Sequence, residues 1–157
     1  MDVIRAVDEV RLKTNDRDGV GMDDQEILSY LNEAIQYICQ HLVGTRYPAL
    51  VQDLLIDEGD ETTFDVPKNF IKFCGTFPAR ITGNTITLLE DPPVRLRYFA
   101  SYLTVEMDDE MPFQHDNLNQ IAVRLACIYV NNQEELNVQQ DQALLAEIQQ
   151  AVVAAVQ

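Results

Sequence analysis

Apolar residues near the start of the chain recur at helical spacing. Val3, Val7 and Val10 fall on one stripe, with Asp2, Asp8, Glu9 and Arg11 off it, which predicts a first helix ending before Gly19-Val20-Gly21. Asp23 and Glu26 then form a D-x-x-E start signal similar to a capping box. Behind it, Ile27, Leu28, Leu31, Ile35, Ile38, Cys39 and Leu42 make a broad apolar stripe, and Gly44 is placed to end it. This is the clearest amphipathic helix in the sequence.

From Leu50 the period changes. Leu54-Leu55-Ile56 reads as a short buried strand, followed by the acidic turn Asp57-Glu58-Gly59-Asp60-Glu61 and a returning strand, Thr62-Thr63-Phe64-Asp65-Val66, stopped by Pro67. Phe70, Ile71, Phe73 and Phe77 supply apolar bulk to another strand. Arg80-Ile81-Thr82 and Thr85-Ile86-Thr87-Leu88 flank Gly83-Asn84, a two-residue connection suited to a tight primed turn. Beyond Asp91-Pro92-Pro93, the segment Val94-Arg95-Leu96-Arg97-Tyr98-Phe99 alternates like a strand with one wet face.

Residues 102–112 read as a loop carrying Glu106, Asp108, Asp109 and Glu110. Leu118, Ile121, Ala122, Leu125, Ala126 and Tyr129 predict a third long helix, broken at Asn131-Asn132, and 136–156 a fourth, rich in Gln and Ala. The expected fold is α+β and mainly helical. It is a four-helix bundle-like core with a small antiparallel sheet inserted between helical halves. The chain reads as one domain, with 1–44 helical, 50–100 the β insertion and 114–157 the helical C-terminal part.

Charge and candidate chemistry narrow the function classes. The 157 residues hold 26 Asp and Glu against 11 Lys and Arg, a formal net charge of -15. Tight nucleic-acid binding needs clustered cations that release counterions from phosphate, so it is not expected. Lys68, Lys72, Arg80, Arg95 and Arg97 do interleave with Phe70, Phe73, Tyr98 and Phe99, a pattern that could stack bases. The preferred reading is alternate polar exposure on strands, with pairing to Asp65, Glu90 and Asp91.

Cys39, Cys74 and Cys127 are widely spaced and odd in number, which argues against a disulfide framework or a zinc site. His41 lies two helical positions from Cys39, so the two diverge and cannot form a nucleophile–base pair. Nucleophile elbows, phosphate-binding glycine loops and H-E-x-x-H are missing. The acidic clusters at 57–61 and at Asp108, Asp109, Glu110 and Asp116 read as solvated loops rather than calcium cages. No enzyme activity, cofactor or metal is expected. The N-terminus lacks an apolar signal core and no apolar run approaches the ~20 residues of a membrane span, so the expected setting is a reducing cytoplasm or an assembly built there, with no membrane partner.

The order of elements resembles the head-to-tail adaptor (connector, or head-completion) proteins of tailed bacteriophages. Ile27-Leu28-Ser29-Tyr30-Leu31-Asn32-Glu33-Ala34 is similar to the "LNEA" helix of these adaptors. Phe64-Asp65-Val66-Pro67-Lys68-Asn69-Phe70-Ile71 resembles their "L-P-x-D-F" strand and turn. Leu96-Arg97-Tyr98-Phe99 then leads to the acidic Asp108-Asp109-Glu110-Met111-Pro112-Phe113 and a small-residue-rich helix from about Asn117. The likeness is clearest over residues 23–42 and 62–130. Two departures stand out. Asn69 occupies a position where an acidic residue is frequent, and Ala100-Ser101-Tyr102-Leu103 replaces the usual proline-rich stretch.

The resemblance implies a structural virion protein at the head–tail junction, assembled in the host cytoplasm. It would form a homo-oligomeric ring, commonly of twelve copies, beneath the portal protein, extend the DNA channel and offer a surface to tail or nozzle proteins. Twelve copies would carry about -180, which repels phosphate. The candidate acidic channel or loop residues are Asp57, Glu58, Asp60, Glu61, Asp108, Asp109 and Glu110. After Glu147 the chain has no charged side chain, and Ile148, Ala151, Val152, Val153, Ala155 and Val156 are the candidate portal-docking residues. The rival reading is an acidic DNA-mimic inhibitor, whose carboxylates imitate phosphates and occupy a DNA-processing protein.

Overall fold

The computed structural model describes residues 1–14 and 22–131, together with Gln142, Ala143, Ala146, Glu147, Gln150, Ala151 and Ala154, each of which is helical. The chain divides into two compact units: residues 1–42 with 102–157, and residues 43–101.

The first unit is built on α1 (Val3–Lys13), most of α2 (Asp24–Gly44) and α3 (Asp116–Asn131). Val3, Ala6, Val7 and Val10 are buried along one face of α1, as the stripe predicts, and α1 packs against α3. The start signal of α2 works as a cap: the Glu26 N–H donates to Asp23 Oδ1 at 2.8 Å. Arg11 fixes the approach to α2 by donating to Asp24 Oδ1 at 2.6 and 3.0 Å and to the Met22 carbonyl at 2.7 Å. The core is the set of stripes read from the sequence, with Ile27, Leu31, Ile35, Ile38 and Leu42 from α2 and Leu118, Ile121, Ala122, Leu125 and Ala126 from α3.

The second unit holds a short 3-10 turn (Pro48–Leu50) and six strands: β1 (Val51–Ile56), β2 (Thr63–Asp65), β3 (Phe70–Phe73), β4 (Ala79–Thr82), β5 (Thr85–Leu88) and β6 (Val94–Ala100). They form two three-stranded antiparallel sheets, ordered β1-β6-β3 and β2-β5-β4. One apolar cluster joins them: Ile56, Val94 and Leu96 from the first sheet with Ile86 and Leu88 from the second, ringed by Leu54, Phe64, Val66, Phe73, Phe77 and Ala79. Gly83 turns the β4–β5 hairpin with φ 60° while Asn84 keeps an ordinary φ, the pattern of a primed turn.

The expected mainly helical, four-helix bundle-like fold with one small inserted sheet is therefore corrected. The described residues form three helices and two three-stranded sheets, and the strands enclose an apolar cluster of their own. The expected hairpin across the acidic turn is also corrected. β1 pairs with β6, matching Leu54 to Leu96 and Ile56 to Val94, whereas β2 pairs with β5. The physical reason is burial on one face. Leu54 and Ile56 alternate in step with Leu96 and Val94, so that distant pairing closes the cluster. The acidic turn then crosses from one sheet to the other. The expected helix over 136–156 falls mostly outside the described residues.

Leu96 is wholly buried at the centre of the middle strand of its sheet. Leu96→Ala removes its share of the cluster and leaves a cavity, with an expected cost of about 2–5 kcal/mol. Hydrogen exchange of strand amides in residues 43–101 measures this, and unchanged protection would contradict it.

Candidate functional site

The two acidic segments turn out to be built alike. At the first, the Asp57 N–H donates to Asp60 Oδ2 at 2.8 Å and the Asp60 N–H returns a bond to the Asp57 carbonyl at 3.1 Å. At the second, the Glu106 N–H donates to Asp109 Oδ2 at 2.8 Å and the Asp109 N–H bonds the Glu106 carbonyl at 3.1 Å. Each is a four-residue turn closed by the carboxylate of its last residue. Asp60 and Asp109 therefore hold backbone in place. Asp57 and Glu58 in one turn with Glu61 just after it, and Asp108 in the other with Glu110 just after it, are exposed. The first turn belongs to the second unit and the second turn to the first. The acid three positions on from the turn's first residue was visible in both sequences and is the signal for this closure.

The second acidic turn is anchored to the helices. Asn32 of α2 donates to the Val105 carbonyl at 3.1 Å and accepts from the Val105 N–H at 2.8 Å, and Gln36 donates to the Tyr102 carbonyl at 2.8 Å. On the other side the Val3 N–H donates to the Asp109 carbonyl at 3.0 Å and the Met111 N–H to the Met1 carbonyl at 2.8 Å. Asn119 repeats the device: its amide donates to the Phe113 carbonyl at 2.9 Å and accepts from the Phe113 N–H at 3.3 Å.

Of the candidate docking residues, Ala151 is buried; Ile148, Val152, Val153, Ala155 and Val156 lie outside the described residues. Nearby, Glu147 forms a two-pronged ion pair with Arg124 of α3, one prong of which is 2.8 Å.

The feature not anticipated from the sequence is a basic groove of about 790 Å³ in the second unit. Sheet register explains it. Val51, Asp53 and Leu55 of β1 stand opposite Phe99, Arg97 and Arg95 of β6, and Lys72 of β3 stands opposite Phe99. These residues share the sheet face that turns away from the apolar cluster. Arg46, in the turn after α2, adds a further cation to the groove lining, which also includes Cys74 and Gly75. Phe70 packs on Phe73 and on Tyr98, with centroids 5.2 and 5.4 Å apart, and Phe73 both touches the apolar cluster and lines the groove. Phe99, on the cationic face, is buried. A platform for base stacking needs exposed rings beside the cations; of the two rings lining the groove, Phe99 is buried and Phe73 half-buried. The expected pairing with Asp65, Glu90 and Asp91 is replaced by Arg97 Nε donating to Asp53 Oδ1 at 2.9 Å. Arg46, Lys72 and Arg95 make no ion pair among the described residues.

None of the described residues form a group of three or more metal-ligating side chains, and no described helix is long and apolar enough to cross a membrane. His41 packs edge-on against Tyr37, 4.6 Å between centroids, while Cys39 is buried.

Two measurements follow from the electrostatics. Burial pushes the Cys39 thiol up to about 11, against a weaker lowering by the Tyr102 backbone, and burial also raises Cys74 and Cys127. Cys39 and Cys127 are buried and Cys74 only half-buried, so alkylation of the native chain near pH 8 should modify Cys74 first. Mass mapping of the labelled chain checks this order.

The hydrogen bond from Arg97 holds the Asp53 carboxyl below its ordinary value, with the Arg97 and Arg95 charges acting the same way. A lowered folded pKa means that the pair's contribution is full above the ordinary carboxylate value and is lost as pH falls through the folded value. Arg97→Gln should move the Asp53 titration, followed by carboxyl NMR, to higher pH. An unchanged midpoint would contradict the pairing.

No protein-family model matches the chain, and no curated protein matches it.

Proposed function

We propose that the protein is a subunit of the head-to-tail adaptor ring of a tailed bacteriophage. It docks on the portal, extends the DNA channel and gives tail or nozzle proteins an attachment surface. The observation that carries this reading is the Asn32 clamp. Asn32 belongs to the Leu31-Asn32-Glu33-Ala34 stretch, and it grips Val105 in the strap that leads into the acidic, proline-containing loop. Two stretches that resemble the adaptor family are thereby bound into one construction.

Charge supplies the mechanism. The exposed carboxylates of both turns, multiplied around a ring, would line or flank a conduit that phosphate does not stick to. A ring of like-charged subunits also resists forming until a template provides compensating contacts, so the portal nucleates it.

Mixing the full chain with portal rings of the same virus and weighing the product tests the reading. The expected mass is one portal plus a stoichiometric ring. No binding, or a one-to-one complex with a nuclease or polymerase as a DNA mimic would form, overturns it. The free chain should be monomeric at micromolar concentration and low salt. Stable rings without portal would overturn the templated order alone.

The C-terminal docking segment has its own test. Removing residues 152–157 spares the buried Ala151, and should leave the melting temperature unchanged while abolishing portal docking. Early melting, or normal docking, would contradict that role.

A further inference from the structure

We propose that the basic groove of one subunit receives the Asp57–Glu61 acidic turn of a second copy of this chain. This deepens the ring reading by assigning the contact between neighbouring subunits.

The groove is a cationic island on an anionic chain. Arg46, Lys72 and Arg97 line it and Arg95 lies on the same sheet face, against a single carboxylate, Asp53, which Arg97 already engages. Arg46 and Lys72 are exposed and make no ion pair among the described residues. Arg46 also takes φ 57°, a left-handed conformation that favours glycine, yet a long cation stands there beside the groove. This lining favours an anionic occupant.

The chain carries a matching knob. Asp57, Glu58, Asp60 and Glu61 crowd one compact turn, with Gly59 at φ 89° allowing the bend and the Asp60 carboxylate closing it. Asp57, Glu58 and Glu61 remain to face a partner. Knob and groove lie toward opposite ends of β1. The groove sits around Val51 and Asp53 in β1, and the knob follows Ile56 at its end, roughly 10 to 17 Å along the strand. Made head to tail rather than exchanged reciprocally between two copies, this contact is heterologous, and its repetition builds a ring where the rotation closes and an open filament where it does not. Charges that repel globally are complementary at this one place, which fixes register and partner.

Disulfide trapping reads the contact without portal. Cys74 lines the groove, and Glu58→Cys places a thiol on the knob. At high protein concentration, diamide takes two electrons and two protons from the pair of thiols as the disulfide forms. A heterologous contact yields a ladder of dimers, trimers and higher species. The ladder should disappear with Cys74→Ser and fall about tenfold with Arg46→Glu plus Lys72→Glu, the scale of a few exposed pairs turned repulsive. It should return when Asp57→Lys and Glu61→Lys are added to that reversed groove; Asp60 is left in place because it closes the turn.

Dimers alone, no ladder, or a ladder that survives Cys74→Ser would overturn the contact. So would tight binding of a duplex oligonucleotide by the unmodified chain that the groove reversal abolishes, since that assigns the groove to a nucleic-acid backbone. A charge-dependent ladder in a chain that fails to join portal would leave this contact standing and the adaptor reading refuted. Portal docking without a ladder would do the reverse.

Discussion

The register of β6 against β1 governs the β-unit, because it assigns each side chain of both strands to one of two incompatible surroundings. Val94 and Leu96 face the apolar cluster with Ile56 and Leu54, while Arg95, Arg97 and Asp53 lie on the other side. A slip of one residue would carry both arginines into the cluster and expose both aliphatic residues. Burying an unpaired guanidinium costs several kcal/mol, so the alternation permits one register only. The same pairing that closes the core therefore builds the basic face.

That coupling bears on how an anionic protein can hold a cationic site. Strand alternation confines Arg95, Arg97 and Lys72 to one side of a sheet, and the helix end at Arg46 adds a cation from a separate element. Carboxylates instead crowd the two acidic turns, where backbone N–H groups recruit Asp60 and Asp109 as closures. Under the adaptor proposal the turns keep phosphate away and one of them recognises the neighbouring subunit.

In the helical unit, polar side chains do positional work inside an apolar frame. Asn32 and Asn119 each satisfy both a backbone donor and a backbone acceptor in segments that have no ladder partner there. An amide suits this role because it donates and accepts from one planar group. Loop backbone held in this way can approach a helix without leaving buried polar groups unpaired. Substituting either Asn by an apolar residue of similar size would lose that service, whatever it gained in packing.

The local elements were legible in the chain. Valines at helical spacing, the D-x-x-E cap and the Gly-Asn turn each depend on neighbours within a few residues, and each element stands where its pattern lies. Strand partnership was decided only by tertiary structure. Alternation shows which face of 51–56 or 94–100 is apolar but does not name the strand that shares it, and the nearest candidate, 62–66, was not the partner. The number of sheets and the fold class followed from that choice, as did the groove. Arg46, Lys72 and Arg97 are far apart in the chain, and nothing in their local sequence brings their charges together. The long-range pairing of β6 with β1 and β3 does so, because the apolar cluster has to be closed on one side and the cations have to stay in water on the other.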